Sequence, residues 1–166
     1  EFIKSCNIKL NVFTPEAEED ILRCYELVVR TNQLNMTGVK YTKEEFCKAL
    51  LREGYKNFAF RCFDDFGDYG IVGFGQYKTD DRILEFSEFA MSCRVAGKFA
   101  ESALFAYLLK KEDLSEGHFE VIKTKKNTLL RNTLAQIGFE TVEESEDKIK
   151  YSFTAELKNC ELVKAE

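Results

Sequence analysis

The stretch from Ile83 to Leu108 changes its hydrophobic period once, and that change limits the architectures open to the chain. Ile83 to Val95 is a long apolar run of the kind a buried strand requires. It passes through Arg94-Val95-Ala96-Gly97-Lys98 into Ala100, Ala103, Leu104, Tyr107 and Leu108, spaced as one face of a helix. A strand delivered straight into a helix calls for an α/β domain, because both elements must bury apolar surface in one core. The glycine-bearing turn also has a chemical meaning. It aims the free N–H groups of the helix start, and the positive end of the helix dipole, at one spot, which suits a phosphate or pyrophosphate. Arg94, Val95, Gly97, Lys98 and Ala100 are the residues that would hold such a group.

The rest of the chain supplies the layers around this junction. Asn7 to Phe13 alternates Ile8, Leu10 and Val12 with polar neighbours, the two-residue period of a half-buried strand. Thr14-Pro15 marks a helix start, followed by acidic residues that suit the dipole, and Ile21, Tyr25, Val28 and Val29 share one face up to about Arg30. Thr42-x-x-Glu45 reads as a capping box opening a second helix that Gly54 closes. Strands are expected at Asn57–Phe63 and Ile71–Tyr77 around the turn Asp64 to Gly70. A short strand at Phe119–Ile122, a helix from Thr128 to Ile137 stopped by Gly138, and strands at Phe139–Val142 and Ile149–Phe153 complete the order β-α-α-β-β-β-α-β-α-β-β.

At 166 residues the chain is expected to form one domain, 1–166. A net charge of −5 without a concentrated basic face excludes a nucleic-acid footprint. One basic island, Lys123, Lys125, Lys126 and Arg131, is either a solvated surface or a site for an acidic partner. Six cysteines without close pairing and a single histidine argue for reduced thiols, a cytoplasmic setting and no metal site. No apolar run has the ~18–20 residues of a membrane span.

The element order is similar to that of the GNAT acyltransferases, whose strand-to-helix junction is commonly (Q/R)-x-x-G-x-(G/A). Arg94 and Gly97 match it, whereas Phe99 stands where the last small residue belongs. Asn127 precedes Gly138-Phe139 by eleven residues, as in the last helix of that fold. A narrower resemblance rests on Thr31-Asn32-Gln33-Leu34-Asn35-Met36-Thr37, on Asp65-Phe66-Gly67-Asp68-Tyr69-Gly70-Ile71-Val72-Gly73 and on Ser92-Cys93-Arg94-Val95-Ala96-Gly97. Together these resemble the C-terminal region of FkbH-like proteins, over most of the chain from Thr31 to Phe139. That family usually continues the third segment as G-R-G-x-E; here Gly97-Lys98-Phe99-Ala100-Glu101 keeps the glutamate and loses the second glycine.

The resemblance implies a mixed, mostly antiparallel central sheet flanked by helices, its central strands splayed to admit a pantetheine arm. It implies coenzyme A or a phosphopantetheine thioester as ligand and an acyl carrier protein as partner. It also implies a preceding domain similar to haloacid dehalogenase (HAD) phosphatases, the pair being associated with loading glyceryl units onto the carrier. The phosphatase's Asp-x-Asp run is absent, so this chain corresponds to the second half of such a protein.

Single residues keep two readings each. Cys93, beside the presumed anion site, is a nucleophile or a core thiol. Glu88 is a general base or an edge glutamate. Asn32, Gln33 and Asn35, with Asn127, bind the acyl and pantetheine end, or cap the helix before them and shape its loop. Asp65 and Asp68 are turn formers, and His118 is structural. Leu134 fills the place where GNAT enzymes often carry a proton-donating tyrosine. The expectation is an acyltransferase-type domain for a small hydroxylated acyl group. The alternative is a non-catalytic docking module for a carrier protein, and an ordinary N-acetyltransferase ranks behind both.

Overall fold

The structure, a computed structural model, describes residues 2–166. A short helix α1 (Phe2–Ser5) precedes β1 (Lys9–Phe13), α2 (Glu18–Arg30), α3 (Lys43–Leu50), β2 (Lys56–Asp64), β3 (Gly67–Asp80) and β4 (Ile83–Met91). Then come α4 (Ala100–Lys111), β5 (Glu116–Ile122), α5 (Thr128–Ile137), β6 (Glu140–Glu144), β7 (Lys148–Phe153) and β8 (Lys164–Ala165). The eight strands form one sheet in the order β6-β7-β5-β4-β3-β2-β1-β8, antiparallel throughout except at β4–β5 and β1–β8. This is the mixed, mostly antiparallel α/β architecture expected. Among the described residues no helix is long and apolar enough to cross a membrane.

Helices cover both faces. Helices α2 and α3 lie over one side, where Leu27, Val28 and Phe46 meet Ala59, Phe74 and Ala90. The other side carries α4 and α5 over a larger core rich in phenylalanine, the residue type that fills this tryptophan-free chain. Gly73 and Gly75 make room for it on β3: a Cβ at either position would fall within 2.1 Å of the Phe60 ring or 2.3 Å of the Phe58 ring. A bulge in β4, between the pairs Gln76↔Glu88 and Tyr77↔Phe86, inserts Ser87 as an extra residue. Phe86 and Phe89 therefore share the α4 face although they are three apart, and Glu88 turns to the α2 face.

Several boundaries differ from the sequence expectation. Helix α2 starts at Glu18 after an Ala17 that makes no side-chain cap, so Thr14 is not its cap; Glu18, Glu19 and Asp20 stabilise the first turn instead. Helix α3 does carry the reciprocal capping box of Thr42 and Glu45. Strands β2 and β3 run almost to the tip of their hairpin, leaving Asp65-Phe66 as the turn where seven residues were expected, because the ladder continues through Phe63↔Asp68 and Asp64↔Gly67; Phe66 N and Gly70 N bond locally to Asp64 Oδ1 (2.9 Å) and Asp68 Oδ1 (2.7 Å).

The central junction also differs. Strand β4 ends at Met91 rather than Val95, and Cys93–Val95 is a 3-10 turn in which Ser92 Oγ accepts from Arg94 N. The helix begins at Ala100, after left-handed residues at Gly97 (φ 77°) and Phe99 (φ 60°). The Ser92 cap ends the strand early, and the two positive φ values turn the chain before helical geometry can start. Strand β8, which extends the sheet beyond β1, had no signal in the alternation of the C-terminal residues.

Strands β4 and β5 pair only from Ile83↔Glu116 to Glu85↔His118 and then part, as the splay expectation requires. The opening is not empty. Leu34, Asn35 and Met36 run through it: Met36 N donates to Phe89 O (2.9 Å), Met91 N to Leu34 O (3.0 Å) and Ile122 N to Met36 O (2.9 Å). A three-residue strap thus joins the two halves of the sheet. At the outer end, all five residues of β6 are exposed, Glu140, Glu143 and Glu144 among them.

Candidate functional site

Where the strap emerges, four segments enclose a cavity of about 630 Å³. The end of α2 contributes Arg30 and Thr31, the loop after it Asn32 and Gln33, the end of β4 Ser92 and Cys93, and the turn after β5 Lys125 and Lys126. Its lining holds three cations and no carboxylate, so it favours an anionic or strongly polar ligand. Cys93 is exposed, with its Sγ donating to Gln33 Oε1 at 3.3 Å. The buried thiols differ: burial pushes Cys24 up to about 12 and Cys62 up to about 11, leaving both inert at neutral pH. Asn32 Oδ1 accepts from Lys40 Nζ (2.9 Å), and the Gln33 carbonyl accepts from Leu130 N (3.3 Å), which ties the loop to α5.

The structure therefore brings together Asn32, Gln33, Cys93, Lys125 and Lys126, which the sequence had assigned to three separate tasks. The other amides face inward. Asn35, 1 % exposed, donates from Nδ2 to Val28 O and Thr31 O (3.0 Å each), and its Oδ1 accepts from Thr37 N (3.1 Å) and Gly38 N (2.7 Å). Asn127, also 1 % exposed, donates to Asn35 O (3.2 Å) and Ile122 O (2.7 Å) and accepts from Thr124 N (3.0 Å). Both are spent on holding the strap and the lysine turn. Lys123 reaches across to Glu144 Oε1 (2.6 Å) and Ser145 O (2.8 Å), and half-buried Arg131 bonds Thr128 Oγ1 (3.1 Å), so the basic island is divided.

Glu88 lies on the α2 face, away from this cavity. Thr37 Oγ1 donates to both its oxygens (3.0 Å each), Tyr41 OH to Oε2 (2.9 Å) and Phe89 N to Oε1 (3.1 Å). Burial raises its carboxyl above the usual range, against the lowering effect of these donors. Between the unfolded value of about 4.3 and this raised value the unfolded chain has lost the proton and the folded chain keeps it. Stability should therefore fall as pH rises through that interval, then level off. Glu101, raised by burial in the same way, adds to the slope. Glu88→Gln is expected to flatten it in urea midpoints taken across the interval; an unaltered slope would show that Glu88 ionises normally.

At the strand-to-helix turn, Lys98 is turned away from the helix start. Its Nζ donates to Asp64 Oδ2 (3.0 Å) and Tyr69 OH (2.8 Å) and lies 4.2 Å from the Tyr69 ring centroid. Arg94 is exposed, reaching Ser92 Oγ (3.3 Å) and Tyr69 O (3.4 Å), while Val95 and Ala100 are core residues. Gly97 lines a second cavity of about 500 Å³ with Phe99, Glu101 and Lys158. Leu134 is fully buried. Among the described residues no three His, Cys, Asp or Glu side chains gather as a metal site.

Sequence reasoning missed Arg30, Thr31 and Ser92 in the first cavity and Glu101 in the second. Arg30 and Ser92 stand next to residues that were singled out, but only the parting of β4 from β5 shows that they face one space.

No family model matches the sequence, and no curated protein does. Solved structures match in shape. A domain from Methanocaldococcus jannaschii superposes with a TM-score of 0.65 at 13 % identity, covering 89 % of this chain and 99 % of its own. Spermidine N-acetyltransferase from Vibrio cholerae, in complex with CoA and spermine, gives 0.63 at 15 %, covering 88 % and 95 %. The PaiA N-acetyltransferase of Thermoplasma acidophilum, in complex with coenzyme A, gives 0.63 at 15 %, covering 87 % and 98 %. At these identities the likeness is one of fold: the chain has the GNAT acyltransferase fold, with its strand gap bridged by residues 34–36.

Proposed function

We propose that this chain is an acyltransferase-type domain that binds the phosphopantetheine thioester of an acyl carrier protein and passes a small hydroxylated, glyceryl-type acyl group to or from the carrier thiol. One observation carries the reading: an exposed thiol, two side-chain amides and three cations line one cavity. In the transfer, the Cys93 thiolate attacks the thioester carbonyl. The C–S bond to pantetheine breaks, the acyl group stays on Cys93, and the departing thiolate takes the proton that Cys93 gave up. Asn32 and Gln33 hydrogen-bond the hydroxyls of the acyl group. Arg30, Lys125 and Lys126, with Arg94 nearby, draw in the phosphate and the acidic carrier surface. In this reading a HAD-like phosphatase domain of the same protein prepares the acyl group, in a reducing cytoplasm that keeps Cys93 free.

The test is intact-mass analysis after incubation with acylated carrier protein. A stable increment of one acyl group is expected on the wild type and none on Cys93→Ala, whose transfer rate should fall at least about a hundredfold. Lys125→Glu with Lys126→Glu should weaken carrier binding about tenfold at low salt and less at high salt. A wild-type chain that stays unacylated, or carrier binding untouched by the lysine reversals, sinks the proposal. A docking module without chemistry is the second reading, favoured by the buried Leu134 in the acid position. It expects the lysine effect with no acyl increment and no response to Cys93→Ala.

A further inference from the structure

We infer that Lys40 is a specificity-determining residue: by holding the Asn32 side-chain oxygen it leaves the first cavity facing its ligand with hydrogen-bond donors, so the acyl unit accepted there carries an acid group of its own, a carboxylate or a phosphate. The inference rests on the acyl-transfer reading above and narrows its acyl group. Lys40 Nζ donates to Val29 O (2.7 Å), one of the orphan carbonyls at the end of α2, and to Asn32 Oδ1 (2.9 Å). An ammonium group has no acceptor, so the atom of Asn32 that meets it is the oxygen. The Nδ2 group, without a partner among the described residues, is the end left for a ligand. Gln33 is set the same way. Its Oε1 accepts from the Cys93 thiol (3.3 Å), which leaves Nε2 free.

Most other acceptors around the cavity are engaged as well. Ser92 Oγ accepts from Arg94 N and Nε (3.3 Å each). The carbonyls of Thr31, Gln33, Ser92 and Cys93 accept from Asn35 Nδ2, Leu130 N, Val95 N and Ala96 N. Arg30, Lys125 and Lys126 add only donors. A neutral polyol brings hydroxyl hydrogens that need acceptors, and each one facing this lining gives up a bond it made to water. A carboxylate or phosphate brings acceptors alone and forms charge-assisted bonds with amide and cation donors. The single phosphodiester charge of a carrier's arm meets three cations here, and an acid group on the acyl unit takes up part of the excess.

Equilibrium binding of pantetheine amides to the full chain tests this. Nitrogen replaces the thioester sulfur in these probes, so no transfer occurs, and they carry succinyl, phosphoglyceryl or glyceryl groups. The wild type should favour at least one of the two acidic amides over the glyceryl amide by about tenfold or more, and the tighter of the two names the acid. Lys40→Met frees the Asn32 amide to rotate and should raise glyceryl affinity by at least about threefold, which loss of a positive charge alone would not do. Should Lys40→Met fail to fold, Asn32→Asp, which replaces the amide donors by acceptors, is read against the same threshold. A wild-type preference below tenfold, no binding of any amide at millimolar concentration, or a smaller glyceryl gain in a variant that circular dichroism shows folded overturns the inference. Acylation of Cys93 is read separately: a chain that never acylates Cys93 can pass this test, and one that does can fail it.

Discussion

Replacing Asn35 by alanine is expected to lower the unfolding free energy by about 4 kcal/mol, because one buried and three part-buried partners lose the same side chain at a cost of about 1–3 kcal/mol per unsatisfied group, partly relieved by relaxation. The partners are the Val28 and Thr31 carbonyls, which are orphans at the end of α2, and the Thr37 and Gly38 N–H groups of the turn that follows. Asn127 bonds the Asn35 carbonyl, so the strap and the lysine turn loosen together. In thermal unfolding this amounts to a fall of about 10 °C for a domain of this size. A loss under about 1 kcal/mol would show that the strap contributes little and that the sheet halves hold without it.

Phe105→Ala is expected to cost a similar amount, about 4 kcal/mol, for removing a large buried ring and leaving a cavity that rigid strands cannot close. Phe105 is fully buried on α4, its ring 5.1–5.6 Å from those of Phe86, Phe89, Phe119, Phe139 and Phe153. These neighbours come from β4, β5, β7 and the residue before β6, so one helix side chain touches strands on both sides of the sheet's parting. Urea titration should show a lower midpoint with an unchanged slope. A loss below about 2 kcal/mol would mean that the rings repack into the space.

The elements were legible wherever a period or a cap had a local cause. Thr42 and Glu45 satisfy each other within one turn, and Leu130, Leu134 and Ile137 repeat at helical spacing, so α3 and α5 could be read from neighbours alone. The end of β4 could not. Whether apolar residues up to Val95 continue a strand depends on Ser92 choosing to cap a turn, and the sequence does not rank that choice. The cavity was half legible: Asn32, Gln33 and Cys93 were singled out by type and neighbourhood. Their meeting required a pairing between segments about sixty residues apart, the 3.3 Å contact of Gln33 with Cys93. Asn35 and Asn127 carry the same chemical group as Asn32 yet point inward. Only the strap between β4 and β5 makes that difference, and nothing local announces it.

The outermost strand has a consequence for how copies of this protein meet. Strand β6 presents unpaired backbone groups along one edge, and a second chain could add to such an edge and continue the sheet. Three of its five residues are glutamates, all exposed, so two copies pairing edge to edge would set carboxylates against one another at close range. That repulsion is strongest at low salt and neutral pH and weakens as the glutamates protonate. At this edge, resistance to sheet extension is therefore carried by surface charge, and acid conditions are where it would be lost first.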